Sequence, residues 1–96
     1  MDDRCRHFFS TLGSELKIGI IMALREKPMS VSELSEKIGE ERSKVSHGLL
    51  LLQRCYFVKS EKEGRSRIYC LNKDTIEPLL SLVERHAKKY CKECNV

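Results

Sequence analysis

Residues 30–71, SVSELSEKIGEERSKVSHGLLLLQRCYFVKSEKEGRSRIYCL, decide the fold of this 96-residue chain. The stretch predicts in order a helix, a tight turn, a second helix and two strands, at 30–39, 39–41, 42–54, 57–61 and 67–71. Glu63-Gly64-Arg65-Ser66 is a typical hairpin turn between the strands. This order outlines a winged helix-turn-helix, in which one helix enters the major groove of DNA and the hairpin reaches the flanking backbone.

The helix ends in this stretch carry signals of unequal quality. Ser30 and Glu33 form an S-x-x-E capping box, and Gly39 is typical of a helix C-terminus. The second helix lacks a short polar residue at its start, where Glu41 or Arg42 stands. No glycine follows it, so either Tyr56 takes a strained left-handed conformation or the helix ends in another way.

Helices are predicted on both sides of this stretch. The N-terminal ones span 4–12 and 15–26, the second capped by Ser14 and apolar at 16, 18, 20, 21 and 24. Asp74 and Glu77 predict a capping pair for a last helix that continues to about Tyr90. We therefore expect an α+β, mainly α fold, with about five helices and a two-stranded wing in one domain, 1–96.

The distribution of charge favours a polyanionic partner. Residues 42–67 hold seven basic and two acidic side chains, a net charge of +5, within a chain whose total is +4. A local basic surface is the electrostatic feature expected for phosphate binding. The longest apolar run has five residues, 20–24, so neither a membrane span nor a signal peptide is predicted, and we expect a cytoplasmic protein. No nucleophile–base set or phosphate loop predicts an enzyme.

The chain resembles the ArsR/SmtB family of winged-helix transcriptional repressors over about residues 9–87. Residues 43–49, SKVSHGL, are similar to the S-x-V-S-x-H-L recognition helix of that family, and Leu51-Leu52 matches its double leucine. Residues 58–71 look like the wing of the family, and residues 12–24 resemble its first core helices. The resemblance implies a homodimer on a partly palindromic operator, with 1–12 and 74–91 as dimerisation helices.

The chain departs from the family pattern at four places. The metal-sensing C-V-C of the family is Ser30-Val31-Ser32 here, and hydroxyl groups are poor ligands for soft metals. Gly48 replaces a histidine, which predicts the loss of one polar contact, and Tyr56 replaces a glycine. The second metal site of the family, on the last helix, is also absent because His86 stands there alone.

Seven polar residues are predicted to contact DNA. Lys44 and His47 lie three residues apart on one helix face, where they can reach base edges. Ser43 and Ser46 can donate hydrogen bonds to phosphates. In the wing, Arg65 and Arg67 are expected on the backbone or in the minor groove. The predicted set is Arg42, Ser43, Lys44, Ser46, His47, Arg65 and Arg67.

Five cysteines leave the question of a signal open. Cys91 and Cys94 form a C-x-x-C pair that can bind a thiophilic metal such as zinc, form a disulfide, or remain inert. Cys5 would complete three thiolates if the first and last helices meet across a dimer, and His7 is a further candidate ligand. Packing is the better interpretation of Cys55 and Cys70.

Three functions follow as alternatives. The first is a DNA-binding repressor tuned by a thiol or metal signal, with no cofactor required. The second is a DNA-binding regulator without such input. The third is a winged-helix module that binds protein instead, which glutamates beside the reading surface at 40, 41, 61 and 63 would favour.

Overall fold

A computed structural model describes residues 2–91 of the chain. Its elements follow in the order α1 (Asp3–Leu12), α2 (Glu15–Glu26), α3 (Val31–Ile38), α4 (Arg42–Arg54), β1 (Val58–Glu63), β2 (Ser66–Leu71) and α5 (Ile76–Tyr90). Five helices and one antiparallel hairpin therefore make up the described part of the chain. This arrangement confirms the predicted winged helix-turn-helix.

The core lies where α2, α3 and α4 meet the base of the hairpin. Val45, Leu49 and Leu52, spaced by four and three residues along α4, are completely buried, as their helical spacing predicts. They share one apolar cluster with ten more buried side chains: Ile20, Ile21, Ala23, Leu24, Met29, Leu34, Phe57, Val58, Leu71 and Ile76. One side of α4 is thus committed to the core, and the other is left for solvent.

The helix-turn-helix is held at its ends by local hydrogen bonds. The backbone N–H of Glu33 donates to the Ser30 hydroxyl at 3.2 Å, and the Glu33 carboxylate accepts from the Ser30 N–H at 3.0 Å. This reciprocal pair is the predicted capping box. Gly39 ends α3 with φ +71°, the left-handed conformation that glycine adopts without a steric cost.

Tyr56 adopts the strained alternative that the sequence left open. Its φ is +59°, and it is the one non-glycine residue between 2 and 91 with a positive φ. Its N–H donates to the Gln53 carbonyl at 3.1 Å, while the Phe57 N–H donates to the Leu52 carbonyl at 2.9 Å. These two bonds form a Schellman motif that ends α4 and turns the chain into the wing.

The wing is tied to the start of α3 as well as to α4. β1 and β2 pair from Val58–Leu71 at the base to Glu63–Ser66 at the tip. Gly64 alone takes a positive φ in the two-residue turn, which fits a type II′ hairpin. At the base, Met29 exchanges two backbone hydrogen bonds with Tyr69, of 3.0 and 2.8 Å. This bridge fixes the wing relative to the helix-turn-helix.

The predicted capping pair of the last helix is wrong. α5 begins at Ile76, and Thr75 precedes it without a side-chain cap. The Asn72 side chain instead accepts from the N–H groups of Asp74 and Thr75, at 2.9 and 3.4 Å. Glu77 is occupied elsewhere, in an ion pair with Arg25 of α2 at 2.8 Å. Throughout residues 2–91, every helix is too short or too polar to cross a lipid bilayer.

Candidate nucleic-acid interface

The five predicted DNA-contact residues of α4 lie together on its exposed side. Arg42, Ser43, Lys44, Ser46 and His47 are all exposed, whereas the positions between and after them point into the core. No side chain caps the start of α4, so its first N–H groups remain open to an anion in front of the helix. The exposed side therefore offers cationic groups, hydroxyls and backbone donors together.

The turn before α4 sets the angle at which this helix is presented. The Ser35 hydroxyl of α3 donates to the Glu40 carbonyl, and the Ser35 carbonyl accepts from the N–H groups of Gly39 and Glu40 at 3.0 and 3.2 Å. The side-chain hydroxyl and the backbone carbonyl of Ser35 thus both form hydrogen bonds that hold the turn. This role of Ser35 was not predicted from the sequence, although a serine four residues before a C-terminal glycine is a usable signal.

Gly48 faces α2 and not the groove. A Cβ atom added there would lie 3.1 Å from Cδ1 of Ile20 and 3.6 Å from Cδ2 of Leu16. Position 48 is also buried. The position therefore governs how closely α4 approaches α2, because even a Cβ atom there would crowd Ile20.

The two faces of the wing carry opposite charges. Successive side chains of a strand alternate between faces, so Ser60 and Lys62 share one face with their partners Tyr69 and Arg67. The other face carries Glu61 and Glu63 together with Lys59, so these strand residues give it a net negative charge. Lys62 lies directly opposite Arg67, and two like charges in that position repel unless an anion bridges them.

A shared hydroxyl links the basic face of the wing to α4. The Ser60 hydroxyl accepts from Nε2 of Gln53 on α4 at 3.3 Å and from Nη1 of Arg67 on β2 at 3.0 Å. Arg67 is thereby oriented on the same side of the wing as the reading helix. Lys62 joins this face and was missed from the sequence, where only the cross-strand register would have grouped it with Arg67.

The glutamates that favoured a protein-binding function do not lie together. Glu40 is 3.8 Å from Nζ of Lys44, a loose exposed pair of the i, i+4 type. Glu61 and Glu63 alternate with Lys62, so they point to the opposite face of the wing. The face of the wing toward α4 is therefore free of these two carboxylates.

The terminal cysteines are only partly described. Cys5 is exposed on α1, and Cys91, directly after α5, is half-buried. Cys94 lies outside the described residues. Within residues 2–91, no three His, Cys, Asp or Glu side chains are grouped closely enough to hold a metal ion. The prediction that Cys5, Cys91 and Cys94 bind a thiophilic metal stays a prediction.

Apolar side chains remain exposed on α1, α2 and α5. The exposed apolar side chains of α1, α2 and α5 are Phe9, Ile18, Met22, Leu82, Val83 and Tyr90. Ile18 was predicted on the buried face of its helix but is 43% exposed. Phe8 packs edge-on against Phe57 of the same chain, with ring centres 4.7 Å apart. Of the two phenylalanines of α1, Phe9 is therefore the one that stays exposed.

Comparison with known proteins places this geometry in context. Residues 14–60 match the family described as bacterial regulatory protein, arsR family. The chain is 34% identical over 77 residues to the HTH-type transcriptional regulator NmtR of Mycobacterium tuberculosis, covering 80% of this chain and 64% of NmtR. It is 26% identical over 72 residues to KmtR of the same organism, covering 75% of this chain and 55% of KmtR. The chain thus spans less than two thirds of either relative.

A solved structure shares the whole fold. The homodimeric winged helix-turn-helix DNA-binding domain of Mb0332 from Mycobacterium bovis superimposes with a TM-score of 0.86 at 19% identity. The match covers 95% of this chain and 84% of that domain. At this identity the likeness supports the fold alone.

Proposed function

We propose that this chain, which belongs to the arsR family of bacterial regulatory proteins, binds double-stranded DNA and regulates transcription, acting as a repressor by occupying an operator. The observation that carries the proposal is the basic face that α4 and the wing form together. Gln53, Ser60 and Arg67 connect its two halves through hydrogen bonds. Binding to the chromosome of a prokaryotic cell would place the protein in the cytoplasm.

In this proposal α4 reads the major groove. Lys44 and His47 reach base edges, while Ser43 and Ser46 donate to the phosphates that border the groove. Arg42 stands at the start of the helix, beside the open backbone N–H groups, where a phosphate is favoured by the helix dipole. Glu40 would release Lys44 on binding at small cost, because their contact is long and exposed.

The wing would hold the flanking backbone. Arg65 projects from the tip, and Arg67 lies opposite Lys62 on the face toward α4. A phosphate bound between Lys62 and Arg67 would attract both cationic side chains and offset the repulsion between them. Phosphate binding would therefore account for two like charges at directly opposed strand positions. These contacts position the helix without specifying sequence.

The proposal includes a homodimer. Side chains such as Leu82 and Val83 are 53% and 52% exposed on α5, and burying them removes apolar area from water. A two-fold axis would pair α5 and α1 with their copies and present two α4 helices to DNA. The two helices would then read half-sites about one helical turn apart, which makes the operator a partial palindrome.

Selection of bound sequences from random DNA tests the proposal directly. We expect the reduced chain to enrich a short inverted repeat and to bind it with an affinity that falls steeply with salt. Repeating the selection after oxidation of the thiols tests whether a thiol signal changes affinity. No enriched sequence together with no salt dependence would refute DNA binding and favour the protein-binding alternative.

A further inference from the structure

Ser60 lies where the end of α4 meets the wing, and its hydroxyl group has one hydrogen bond left to make. The oxygen accepts from Nε2 of Gln53 at 3.3 Å and from Nη1 of Arg67 at 3.0 Å. A serine hydroxyl can accept two hydrogen bonds and donate one. Both accepting positions are therefore used, and the hydroxyl proton finds no acceptor among residues 2–91.

The direction of this proton is set by the two donors. A guanidinium group has no acceptor, so Arg67 cannot take the proton, and neither can the amide nitrogen of Gln53. Two donors on the oxygen leave the O–H bond pointing away from both of them. Ser60 is half-buried, and a donor in such a place costs free energy unless an acceptor outside the chain satisfies it.

The neighbouring side chains on this face of the wing are donors as well. Lys62 and Arg67 are exposed and lie directly opposite each other. Arg67 uses Nη1 on Ser60, and its other N–H groups form no hydrogen bond within the described residues. Glu61 and Glu63 lie on the other face, so no carboxylate of β1 competes here. A cationic group of donors without an acceptor suits an anion that has several oxygen atoms.

We propose that Ser60 is a further DNA contact of this chain, donating its hydroxyl proton to a phosphodiester oxygen that Lys62 and Arg67 also bind. The inference rests on the proposed function, because the phosphate belongs to the DNA backbone. Serine hydroxyls are common phosphate donors at such interfaces. Since Gln53 belongs to α4, the helix that reads the groove orients a donor of the wing. Ser60 is not one of the seven residues predicted from the sequence.

Substitutions at position 60 test the contact on a duplex that carries the selected inverted repeat. Ser60→Ala should weaken binding at least about tenfold, because a hydrogen bond to a charged acceptor is lost. The salt slope should stay nearly unchanged, because a neutral hydroxyl displaces no counterion. Ser60→Thr keeps a hydroxyl and should restore most of the affinity. Ser66→Ala, the matched control, removes an exposed hydroxyl from the other face of the wing and should bind as the parent does.

A double-mutant cycle with Arg67→Ala separates donation to DNA from orientation of Arg67. If Ser60 donates to the phosphate itself, adding Ser60→Ala to Arg67→Ala should weaken binding further, by at least about threefold. No further loss would overturn the proposal, because Ser60 would then act only through Arg67. Arg67→Ala alone should also lower the salt slope, by roughly one unit per chain, which distinguishes the charge from the hydroxyl.

The outcomes distinguish this proposal from the proposed function. If the parent chain binds DNA and Ser60→Ala binds equally well, the Ser60 contact is refuted and the proposed function stands. If the parent chain does not bind DNA, both are refuted. Thermal unfolding shows whether each variant folds. Should Ser60→Ala fail to fold, Ser60→Cys under reducing conditions replaces it with the same expectations, because a thiol is a weak donor.

Discussion

α4 and α5 are both amphipathic helices, but only α4 buries its apolar side chains within the chain. Val45, Leu49 and Leu52 of α4 are fully buried, whereas Ile76 is the one buried residue of α5. The core therefore fixes α4 and leaves its polar side to face outward at a defined angle. α5 has a similar apolar stripe, but beyond Leu80, which packs against the core, Leu82 and Val83 stay exposed. This exposed part of the stripe is suited to meet a second copy.

Breaking the α5 stripe should have the largest effect. Val83→Glu places a charge on exposed apolar surface, which the single chain tolerates but a packed dimer does not. We expect a folded monomer whose affinity for the inverted repeat falls by about 100-fold to 10,000-fold, because the two half-sites are no longer linked. Sedimentation equilibrium and DNA titration measure the two effects.

Arg85→Glu is the matched control for this change. Two residues further along a helix is a rotation of about 200°, so residue 85 lies on the opposite side of α5 from residue 83. It should leave the dimer intact. A Val83→Glu chain that still dimerises would place the interface elsewhere.

Substitutions in the apolar stripe of α4 should lower the free energy of unfolding instead of preventing dimerisation. Leu49→Ala removes a fully buried side chain, which costs about 3 kcal/mol of unfolding free energy. Leu82→Ala, half-exposed on α5, should cost less than about 1 kcal/mol. Both are compared by urea unfolding in the monomeric Val83→Glu chain, so that dimerisation does not contribute. Equal costs would show that α5 also belongs to the core of one chain.

Substitutions in the proposed DNA-binding face should change affinity through electrostatics. Arg65→Ala removes one proposed phosphate contact, so binding should weaken on every DNA sequence alike. The slope of log affinity against log salt should fall by roughly one unit. Arg4→Ala removes the same charge from α1 and should leave the slope unchanged. If Arg65→Ala also leaves it unchanged, the wing tip does not contact a phosphate.

A substitution at the end of α4 should have a smaller effect, and it should stabilise the fold. Tyr56 is 79% exposed and holds φ +59°, so its ring contributes little while its backbone is strained. Tyr56→Gly should therefore raise the unfolding free energy, by about 1 kcal/mol. Tyr56→Ala removes the same ring and keeps the strain, so it should give no such gain. Equal stabilisation by both variants would assign the effect to the ring.

Local patterns predicted the parts of the fold that local physics controls. The capping box at Ser30, the left-handed Gly39 and the α4 stripe all depend on residues within one or two turns of each other. Tyr56 was predicted only as one of two alternatives, since its conformation involves a long-range bond as well as two local ones: the Asn72 amide donates to the Tyr56 carbonyl at 2.8 Å. The seven DNA-contact residues are all exposed, but contact itself remains a prediction.

Tertiary contacts account for what the sequence could not predict. The close approach of Gly48 to Ile20 of α2 could not be predicted, because a helical repeat does not reveal which neighbouring helix faces a given position. The hydrogen bonds that Gln53 and Arg67 donate to Ser60 join residues seven positions away on either side, and no local pattern reveals them. Asp74 and Glu77 have the spacing of a capping pair, yet Asn72 takes the local N–H groups and Arg25 takes the Glu77 carboxylate.

That ion pair is also what anchors α5 beside its single buried residue, and it should make stability depend weakly on pH. Arg25 donates to both oxygens of Glu77, which holds the pKa of this carboxyl below its usual value of 4.5. A carboxyl whose pKa is depressed by folding stabilises the protein fully above its unfolded pKa. The contribution disappears as the pH falls through the lower, folded pKa, where the carboxylate becomes protonated.

Glu77→Gln should therefore lower stability near neutral pH and reduce the loss of stability on acidification between about pH 6 and about pH 3. The effect should be small, because the Glu77 side chain is 37% exposed and solvent screens an ion pair that it reaches. Thermal unfolding of the monomeric Val83→Glu chain at several pH values measures this effect. Glu36→Gln, at an exposed position of α3, is the control. An acid response identical to that of the control would mean that Ile76 alone, and not the Arg25 ion pair, fixes the start of α5.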